Sequence, residues 1–291
     1  MKSGDGQRRL SWLASYPKSG NTWARAFLRA YQFDAYEPVD INQIGKISCS
    51  ESRLTYFQAA ASTKGKRLSN AEVDSLRRPV QERLARQIGR HQVVKTHNAR
   101  LVCNGFSLIH DDLTRCAVYL VRNPLDVVDS FADHNGVSID EAIGLMSDPA
   151  HRIGGPNQEF VTQYLSTWST HVRSWIHADD FPVLIIRYED LLLDSLGVFR
   201  QLIQFLGWHF DEGRLTRAVR CSSFNALRQI EGRQGFQEVS AKSRSGKFFR
   251  RGQSGAWTER LSENQRQRLV NDHGETMQLL GYRASHVSVQ A

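Results

Sequence analysis

The hydrophobic and polar positions of this chain alternate between short apolar runs and longer amphipathic segments. Residues 10–15, 117–121 and 183–187 are apolar at nearly every position, and residues 92–95 form a shorter run of the same kind. Strands without a two-residue alternation are typical of a parallel sheet that is covered on both faces. These four runs are therefore predicted to be strands of such a sheet.

Amphipathic helices are predicted between and after the strands. In the first of them, apolar side chains recur at helical spacing at Trp23, Phe27, Leu28 and Tyr31. The predicted helices cover residues 21–31, 125–134, 195–206 and about 263–280. Strands that alternate with helices predict an α/β fold, with a central parallel sheet flanked by helices. We expect one domain over residues 1–291.

The segment after the first strand has the composition of an anion-binding loop. Residues 16–23 read YPKSGNTW, a glycine-containing turn that leads into a helix. Backbone N–H groups and the positive end of a helix dipole attract phosphate-like groups. Lys18 adds a full charge, and Ser19 and Thr22 add hydroxyl donors. The Lys precedes the Gly, so the Walker A signature is absent. The alternative is a helix start that Ser19 or Asn21 caps.

Polar side chains follow two further strands, where α/β sheets bind ligands. Lys95 and His97 are two residues apart, which puts both on the same side of a strand. A His there can act as a base near neutral pH, although a lone His is more often structural. Arg122 follows residues 117–121, and Ser130 comes about two helical turns later. These two side chains could hold one anionic group.

The composition is that of an ordinary globular protein, with 40% hydrophobic and 23% charged residues among 291. No apolar run is long enough to span a membrane, and residues 1–10 lack the apolar core of a signal peptide. The four cysteines form no CxxC pair, which argues against a zinc site or a disulfide framework. We therefore expect a cytoplasmic protein without a metal.

The net charge of +8 is concentrated in two segments. Residues 62–100 carry ten Lys and Arg against three acids, and residues 228–251 carry seven against two. Each segment is either a solvated surface or the contact to a polyanionic ligand. The second segment is rich in glycine, and we expect it to be a flexible lid loop.

Six segments, in this order along the chain, resemble the sulfotransferases that use 3′-phosphoadenosine 5′-phosphosulfate (PAPS). YPKSGNTW resembles the family's 5′-phosphosulfate loop, KTH its catalytic His segment, and VRNPLDVVDS its 3′-phosphate motif. IIRYEDLLLD, SSFNAL and RRGQSGAW resemble three further segments of the family. Together they extend from Ser11 to Trp257, which is most of the chain. The resemblance implies an α/β domain with a phosphate-binding loop like that of P-loop kinases.

The resemblance also implies a role for each matching residue. His97 would be the general base, and Lys18 and Lys95 would assist the transferred group. The PAPS site would contain Lys18, Ser19, Gly20, Asn21, Thr22, Trp23, Arg122, Ser130, Tyr188, Ser222, Ser223, Phe224, Arg250, Arg251 and Gly252. Trp23 would stack on the adenine, and Arg122, Ser130, Arg250, Arg251 and Gly252 would bind the 3′-phosphate. Adenosine 3′,5′-bisphosphate (PAP) would be the product, and no metal would be needed.

Three positions depart from the family pattern. Asn21 and Arg251 stand where Thr and Lys are usual, and both replacements keep the required chemistry. Ala256 replaces the Asp of the last motif. The family's dimerisation motif is missing from TERLSENQRQ, which follows that motif directly. The oligomeric state is therefore left open.

The implied reaction is an in-line transfer of the sulfuryl group to a hydroxyl or amine of a small acceptor, whose identity the sequence leaves open. A small-molecule kinase is the alternative, but Arg122 stands where a Walker B acid should follow its strand. A non-catalytic nucleic-acid binder is the third interpretation. The two basic segments lack the interleaved aromatic residues of a stacking platform, so we expect no nucleic-acid or membrane partner. For Glu189 and Asp190 we favour a simple role at a helix start.

Overall fold

The structure is a computed structural model that describes residues 10–62, 67–89, 91–282 and 289–290. The segment before Leu10, on which the signal-peptide argument rested, lies outside the described residues. So do residues 63–66 and 90 of the first basic segment.

The strands of the main sheet are those that the apolar runs predicted, with one addition and small shifts at the ends. The described strands are β1 (Leu10–Ser15), β2 (Ser48–Ser50), β3 (Val93–Thr96), β4 (Val102–Cys103), β5 (Phe106–Ser107), β6 (Thr114–Val121), β7 (Arg152–Ile153), β8 (Gln163–Tyr164), β9 (Val183–Arg187), β10 (Gln253–Ser254) and β11 (Val289–Gln290). The addition to the main sheet is β2, which the sequence pattern did not indicate.

Helices separate the sheet strands, and seven of those described lie after β8. They are α1 (Asn21–Gln32), α2 (Leu54–Ala60), α3 (Asn70–Gln87), α4 (Pro124–Asn135), α5 (Ile139–Ser147), α6 (Trp168–Ile176), α7 (Tyr188–Leu193), α8 (Ser195–Phe205), α9 (Glu212–Cys221), α10 (Phe224–Gln234), α11 (Trp257–Arg260) and α12 (Glu263–Leu279), with short 3₁₀ turns at Ile41–Lys46 and Asp111–Leu113. The predicted α/β class is confirmed.

The main sheet has five strands in the order β2-β3-β1-β6-β9. β3 pairs in parallel with β1 on one side, with Trp12 opposite Val94, and with β2 on the other. Ala14 is opposite Thr96 in this register, so β1 and β3 end side by side. This pairing brings the segment after β3 next to the last residue of β1.

Burial explains why β1 reads as a continuous apolar run. Every residue from Leu10 to Ser15 is buried, whichever face of the strand it occupies. Its polar side-chain atoms find partners: Trp12 Nε1 donates to Thr114 Oγ1 at 2.9 Å, and Ser11 Oγ accepts from Arg115 Nη2 at 2.7 Å. A strand whose two faces are both covered does not need polar positions, so the two-residue period disappears.

Helix α4 shows why its limits could be predicted from local sequence. Asn123 caps its start by accepting a hydrogen bond from Leu125 N at 3.0 Å, and Pro124 occupies the first turn. Gly136 ends the helix with φ +69°. A side-chain cap, a Pro at the first position and a left-handed Gly at the end are the usual signals of helix termini.

Spatial clustering divides the described residues into two compact units. The first contains those of 1–16, 48–119 and 148–185, and so holds β1–β3, most of β6 and β9, and α2, α3 and α6. The second contains those of 17–47, 120–147 and 186–291, and so holds α1, α4, α5 and α7–α12. The expectation of one domain over the whole chain stays a prediction.

The expectation of a loop over residues 228–251 is wrong for its first part. Residues 228–234 belong to α10, which continues to Gln234 and includes Gly232. The glycines had suggested a loop, but one Gly inside a helix costs only about 1 kcal/mol, which neighbouring contacts can offset. Glu231 provides such contacts, since it accepts hydrogen bonds from Phe248 N at 2.5 Å and Phe249 N at 2.9 Å.

Among the described helices, none combines the length and the apolar character that a membrane-spanning segment needs.

Candidate functional site

The loop between β1 and α1 has the backbone geometry of an anion-binding turn. Lys18 has φ +69° and Gly20 has φ +97°, so two positions out of three adopt left-handed conformations. A Cβ on Gly20 would lie 2.9 Å from Tyr188 Cδ2, which leaves no room for a side chain. Gly20 is therefore required both by its φ and by the approach of the Tyr188 ring.

Neither Ser19 nor Asn21 caps helix α1, although the sequence allowed this alternative. The N-cap residue is Gly20, and no side chain makes a capping hydrogen bond there. Ser19 is 0% exposed, and its Oγ has no hydrogen-bond partner within the described part of the chain. A buried hydroxyl without a partner costs about 1–3 kcal/mol. An uncapped helix start and an unsatisfied buried hydroxyl fit a bound anion.

The ammonium group of Lys18 lies in a partly buried, electropositive environment. Burial, together with the nearby charges of Arg122 and Arg250, lowers its pKa to about 8 against the opposing effect of Asp133 and Glu238. An amine with this pKa is still mostly protonated at neutral pH. The site therefore holds a positive charge that an anionic ligand would stabilise.

Arg122, directly after β6, connects three parts of the second unit. Its Nη2 donates to Gln253 O at 3.0 Å and its Nη1 to Lys18 O at 3.4 Å. Its guanidinium carbon lies 4.3 Å from the centre of the Tyr188 ring. Arg122 Nε is buried without a hydrogen-bond partner among the described residues. The sequence-predicted residues Lys18, Arg122 and Tyr188 are thus brought together, with one donor still unsatisfied.

The two arginines of the RRGQSGAW segment contact helix α4, which also carries Ser130. Arg251 Nη1 lies 2.7 Å from Asp129 Oδ2, and Arg250 forms ion pairs with the same carboxylate and, at 3.2 Å, with Asp133 Oδ1. Arg250, Arg251 and Ser130, which the resemblance assigned to one phosphate, therefore converge on one helix. The two acids were not singled out in the sequence, where no local pattern distinguishes them.

Glu238 is a third acid that the sequence did not indicate. One of its oxygens lies 2.7 Å from Arg25 Nη1, and the other accepts a hydrogen bond from Thr22 Oγ1 at 3.2 Å. Arg25 is only 4% exposed. The Thr22 hydroxyl, which was predicted to bind the 5′-phosphosulfate, is therefore hydrogen-bonded to a carboxylate of the basic segment.

Two aromatic residues assigned to adenosine, Trp23 and Tyr188, pack against each other within the second unit. Trp23 is 7% exposed and meets Tyr188 edge to face at 5.8 Å, measured between ring centres. Its Nε1 is buried and finds no hydrogen-bond partner in the described residues. Trp23 therefore borders the loop, and its stacking on adenine stays a prediction.

The SSF segment shows three separate local roles. Ser222 is fully buried and donates to Ala218 O at 2.7 Å, whereas Ser223 caps α10 by accepting from Ala226 N at 3.3 Å. The ring of Phe224 packs so closely on Gly252 that a Cβ there would lie 2.5 Å from it. Both hydroxyls are thus used by helices, and Phe224 supports the turn that follows Arg251.

Two buried acids hold the backbone around Arg122. Asp126 accepts a hydrogen bond from Gly255 N at 2.9 Å, and burial raises its pKa. Glu189 accepts from Asn123 N at 3.0 Å and from the Tyr282 hydroxyl at 2.9 Å. Glu189 therefore does more than begin a helix, because it anchors the residue next to Arg122.

His97 belongs to the first unit and follows β3 directly. Lys95 and His97 are both partly exposed while Thr96 between them is buried, which agrees with the predicted placement on one side. His97 Nδ1 lies 2.7 Å from Ser15 O. A carbonyl only accepts, so Nδ1 carries the hydrogen and Nε2 carries the lone pair. This tautomer suits Nε2 for accepting a proton.

Glu51 is a further buried acid beside His97. It is 1% exposed and accepts hydrogen bonds from Thr96 Oγ1 at 2.8 Å and Asn98 Nδ2 at 2.7 Å.

Within the described ranges, His, Cys, Asp and Glu side chains form no group of three that could hold a metal ion.

Comparison with known proteins agrees with the resemblance in the sequence. The family described as "Sulfotransferase domain" matches residues 8–281. Mouse sulfotransferase 2B1 is 28% identical over 170 residues, which cover 55% of this chain but only 47% of that protein. The amine sulfotransferase of Oryctolagus cuniculus is 22% identical over 281 residues, 91% of this chain and 80% of that protein.

Solved structures share the fold at low sequence identity. Retinol dehydratase in complex with androsterone and inactive cofactor PAP has a TM-score of 0.58 at 16% identity, and the match covers 92% of this chain and 80% of that one. Mouse sulfotransferase SULT7A1 complexed with PAP has a TM-score of 0.54 at 18% identity, over 93% of this chain and 84% of that one. With the family match extending over nearly the whole chain, this protein belongs to the sulfotransferase domain family.

Proposed function

We propose that the protein is a PAPS-dependent sulfotransferase that acts on a hydroxyl or amine of a small molecule. The observation that carries this proposal is the unsatisfied, fully buried hydroxyl of Ser19 at the uncapped start of α1. A terminal phosphosulfate supplies the acceptor oxygens and the negative charge that this loop lacks. The family membership and the PAP bound by the similar structures support the same assignment.

In this proposal the nucleotide is bound by the second unit. The loop Lys18 to Thr22 holds the 5′-phosphosulfate, with Gly20 and Asn21 contributing backbone N–H groups. Arg122, Ser130, Arg250, Arg251 and Gly252 bind the 3′-phosphate, and Trp23, Tyr188, Ser222, Ser223 and Phe224 surround the adenosine. The convergence of Arg250 and Arg251 on the helix of Ser130 supports the 3′-phosphate assignment.

PAPS, when bound, supplies a sulfuryl group on a good leaving group. Nε2 of His97 removes the proton of the acceptor hydroxyl or amine, and the acceptor atom forms its bond to sulfur. The Lys18 ammonium neutralises the charge that develops on the bridging oxygen as the S–O bond breaks, and Lys95 assists the transferred group. The proton ends on His97, from which it passes to solvent.

A small acceptor fits what is known of similar proteins. One relative is an amine sulfotransferase, and solved neighbours hold androsterone or retinol. A cytoplasmic location is part of the proposal. The four cysteines, all within the described residues, are free thiols, as expected in a reducing compartment.

The small-molecule kinase is the less favoured alternative. It would require an acidic Mg²⁺ ligand after an apolar strand. Arg122 follows β6 instead, and Glu189 is engaged with Asn123 N and Tyr282.

Three measurements test the proposal. PAP should bind in isothermal titration calorimetry without added metal, and radiolabelled PAPS should transfer label to at least one member of a panel of phenols, alcohols, sugars, amines and glycopeptides. His97→Ala should lower turnover by about 10²–10⁴-fold, the usual contribution of a general base, while PAP still binds. Label transfer from ATP with Mg²⁺, in the absence of PAP binding, would favour the kinase.

A further inference from the structure

The imidazole of His171, in α6, joins two groups of the first unit. Its Nε2 lies 3.0 Å from the backbone oxygen of His97, and its Nδ1 lies 2.8 Å from the hydroxyl of Tyr119. Both His171 and Tyr119 are 0% exposed. Bulk water cannot replace either hydrogen bond at such a position, so each group depends on its protein partner.

Only one arrangement of hydrogens satisfies both contacts of His171. The His97 carbonyl can only accept, so His171 Nε2 must carry the hydrogen. Nδ1 of the neutral ring is then an acceptor, and the Tyr119 hydroxyl donates to it. Burial lowers the pKa of His171 to about 4, so the ring remains neutral at physiological pH. The ring is therefore held in one tautomer and one orientation.

The residues on either side of His97 are held by other groups. Thr96 and Asn98 both donate to Glu51 Oε1, at 2.8 and 2.7 Å. His171 acts on the backbone oxygen of His97, which lies between these anchors. A displacement of the His97 backbone would move its ring as well, and with it Nδ1 relative to Ser15 O.

We infer that His171, whose ring the Tyr119 hydroxyl holds in place, is a positioning residue for His97. It acts through the His97 carbonyl and touches no reacting atom. Its bond fixes the backbone of His97, so that the ring keeps its Nδ1–H bond to Ser15 O and presents the Nε2 lone pair. The inference rests on the proposed role of His97 as the general base.

Two substitutions at one position separate this role from simple core packing. His171→Gln places an amide nitrogen near the former Nε2 and can still donate to the His97 carbonyl. His171→Asn places its amide near the former Nδ1 and loses that donor. Both remove the ring and leave a smaller polar side chain in the same cavity.

The expected result is a split between the two variants in kcat. His171→Asn should lower kcat by about 10²-fold, the usual effect of a misplaced catalytic group. His171→Gln should retain most of the activity, and Tyr119→Phe should lower kcat by less than His171→Asn does. The Kd for PAP should stay within about twofold in all three, since that site belongs to the other unit. Equal losses of kcat in His171→Asn and His171→Gln, or no loss in His171→Asn, would overturn the inference.

A second readout does not depend on activity. In the ¹⁵N NMR spectrum of histidine-labelled protein, His97 should be the Nδ1–H tautomer, and it should become a mixture in His171→Asn but not in His171→Gln. An unchanged His97 tautomer in His171→Asn would contradict the inference, whether or not an acceptor is sulfated. The absence of sulfation of any acceptor would refute the proposed function instead. If His171→Asn does not fold, Tyr119→Phe provides the test in its place. An unaltered His97 tautomer together with full activity in Tyr119→Phe would contradict the inference.

Discussion

The ammonium nitrogen of Lys18 lies 3.9 Å from the centre of the Phe248 ring. Phe248 belongs to the basic segment 228–251, and its backbone N–H donates to the Glu231 carboxylate. A cation facing an aromatic ring retains favourable electrostatics with less water around it. Phe248 therefore covers the charge that the anion-binding loop presents.

The pKa of Lys18, about 8, predicts a loss of nucleotide affinity in alkaline solution. The protonated amine binds an anion, so the Kd for PAP should be nearly constant below pH 7 and rise above pH 8, by up to about tenfold per pH unit. Titration calorimetry between pH 6.5 and 9.5 measures this. Lys18→Arg, whose guanidinium stays charged, should flatten the rise. An equal rise in both proteins would assign the titration to another group.

Removing the charge of Glu238 should strengthen PAP binding. The Glu238 carboxylate bonds Thr22 and Arg25 in the first two turns of α1, next to the loop where an anion is expected to bind, so it competes with the ligand. Glu238→Gln should lower the Kd for PAP by about two- to fivefold at low salt, the scale of one partly exposed ion pair.

The control for Glu238 is Glu159→Gln, which makes the same charge change at a side chain that is 67% exposed. That variant should leave the Kd for PAP unchanged. Weaker binding in Glu238→Gln would mean that the carboxylate organises the loop rather than competing with the ligand.

Arg122 should distinguish nucleotides by their 3′-phosphate. Arg122→Ala should weaken PAP binding by about 10- to 100-fold, because a charge-assisted hydrogen bond contributes about 1.5–3 kcal/mol. Adenosine 5′-monophosphate lacks the 3′-phosphate and should lose much less affinity. Both are measured by titration calorimetry.

Arg233→Ala provides the matched control, because it removes an exposed Arg of the basic segment. It should leave both affinities nearly unchanged. Equal losses for the two nucleotides in Arg122→Ala would show that Arg122 supports the fold of the loop and does not read the 3′-phosphate.

Gly252 should be essential for stability, whereas Gly232 should be replaceable. Gly252 has φ +63°, and a Cβ there would lie 2.5 Å from the Phe224 ring. Gly252→Ala should lower the free energy of unfolding by at least about 1–2 kcal/mol, the cost of a left-handed conformation alone.

Gly232 lies within α10, and a Cβ on this residue would meet no other atom within 4 Å. Gly232→Ala should therefore raise the free energy of unfolding by about 0.5–1 kcal/mol. Thermal unfolding followed by circular dichroism measures both variants. A neutral Gly252→Ala would contradict the close packing of Phe224 on that turn.

Local sequence determined the elements and the positions of the candidate residues along them. The apolar run of β1, the Asn123-Pro124 start of α4 and the loop from Lys18 to Thr22 each depend on neighbours a few residues away. Hydrophobic spacing, caps and turns act over that distance, so the sequence contains their signals. The order of the six motifs was enough to indicate the family and the α/β fold.

Tertiary structure decided which groups meet these residues. Thr22 and Glu238 are 216 positions apart in the sequence, and His171 is 74 positions from His97, whose carbonyl it contacts. A single Glu or His carries no local pattern that would reveal such a partner. Its role depends on where the folded chain places it, how much water it loses and which acceptor it faces, and only the packed structure sets those three conditions.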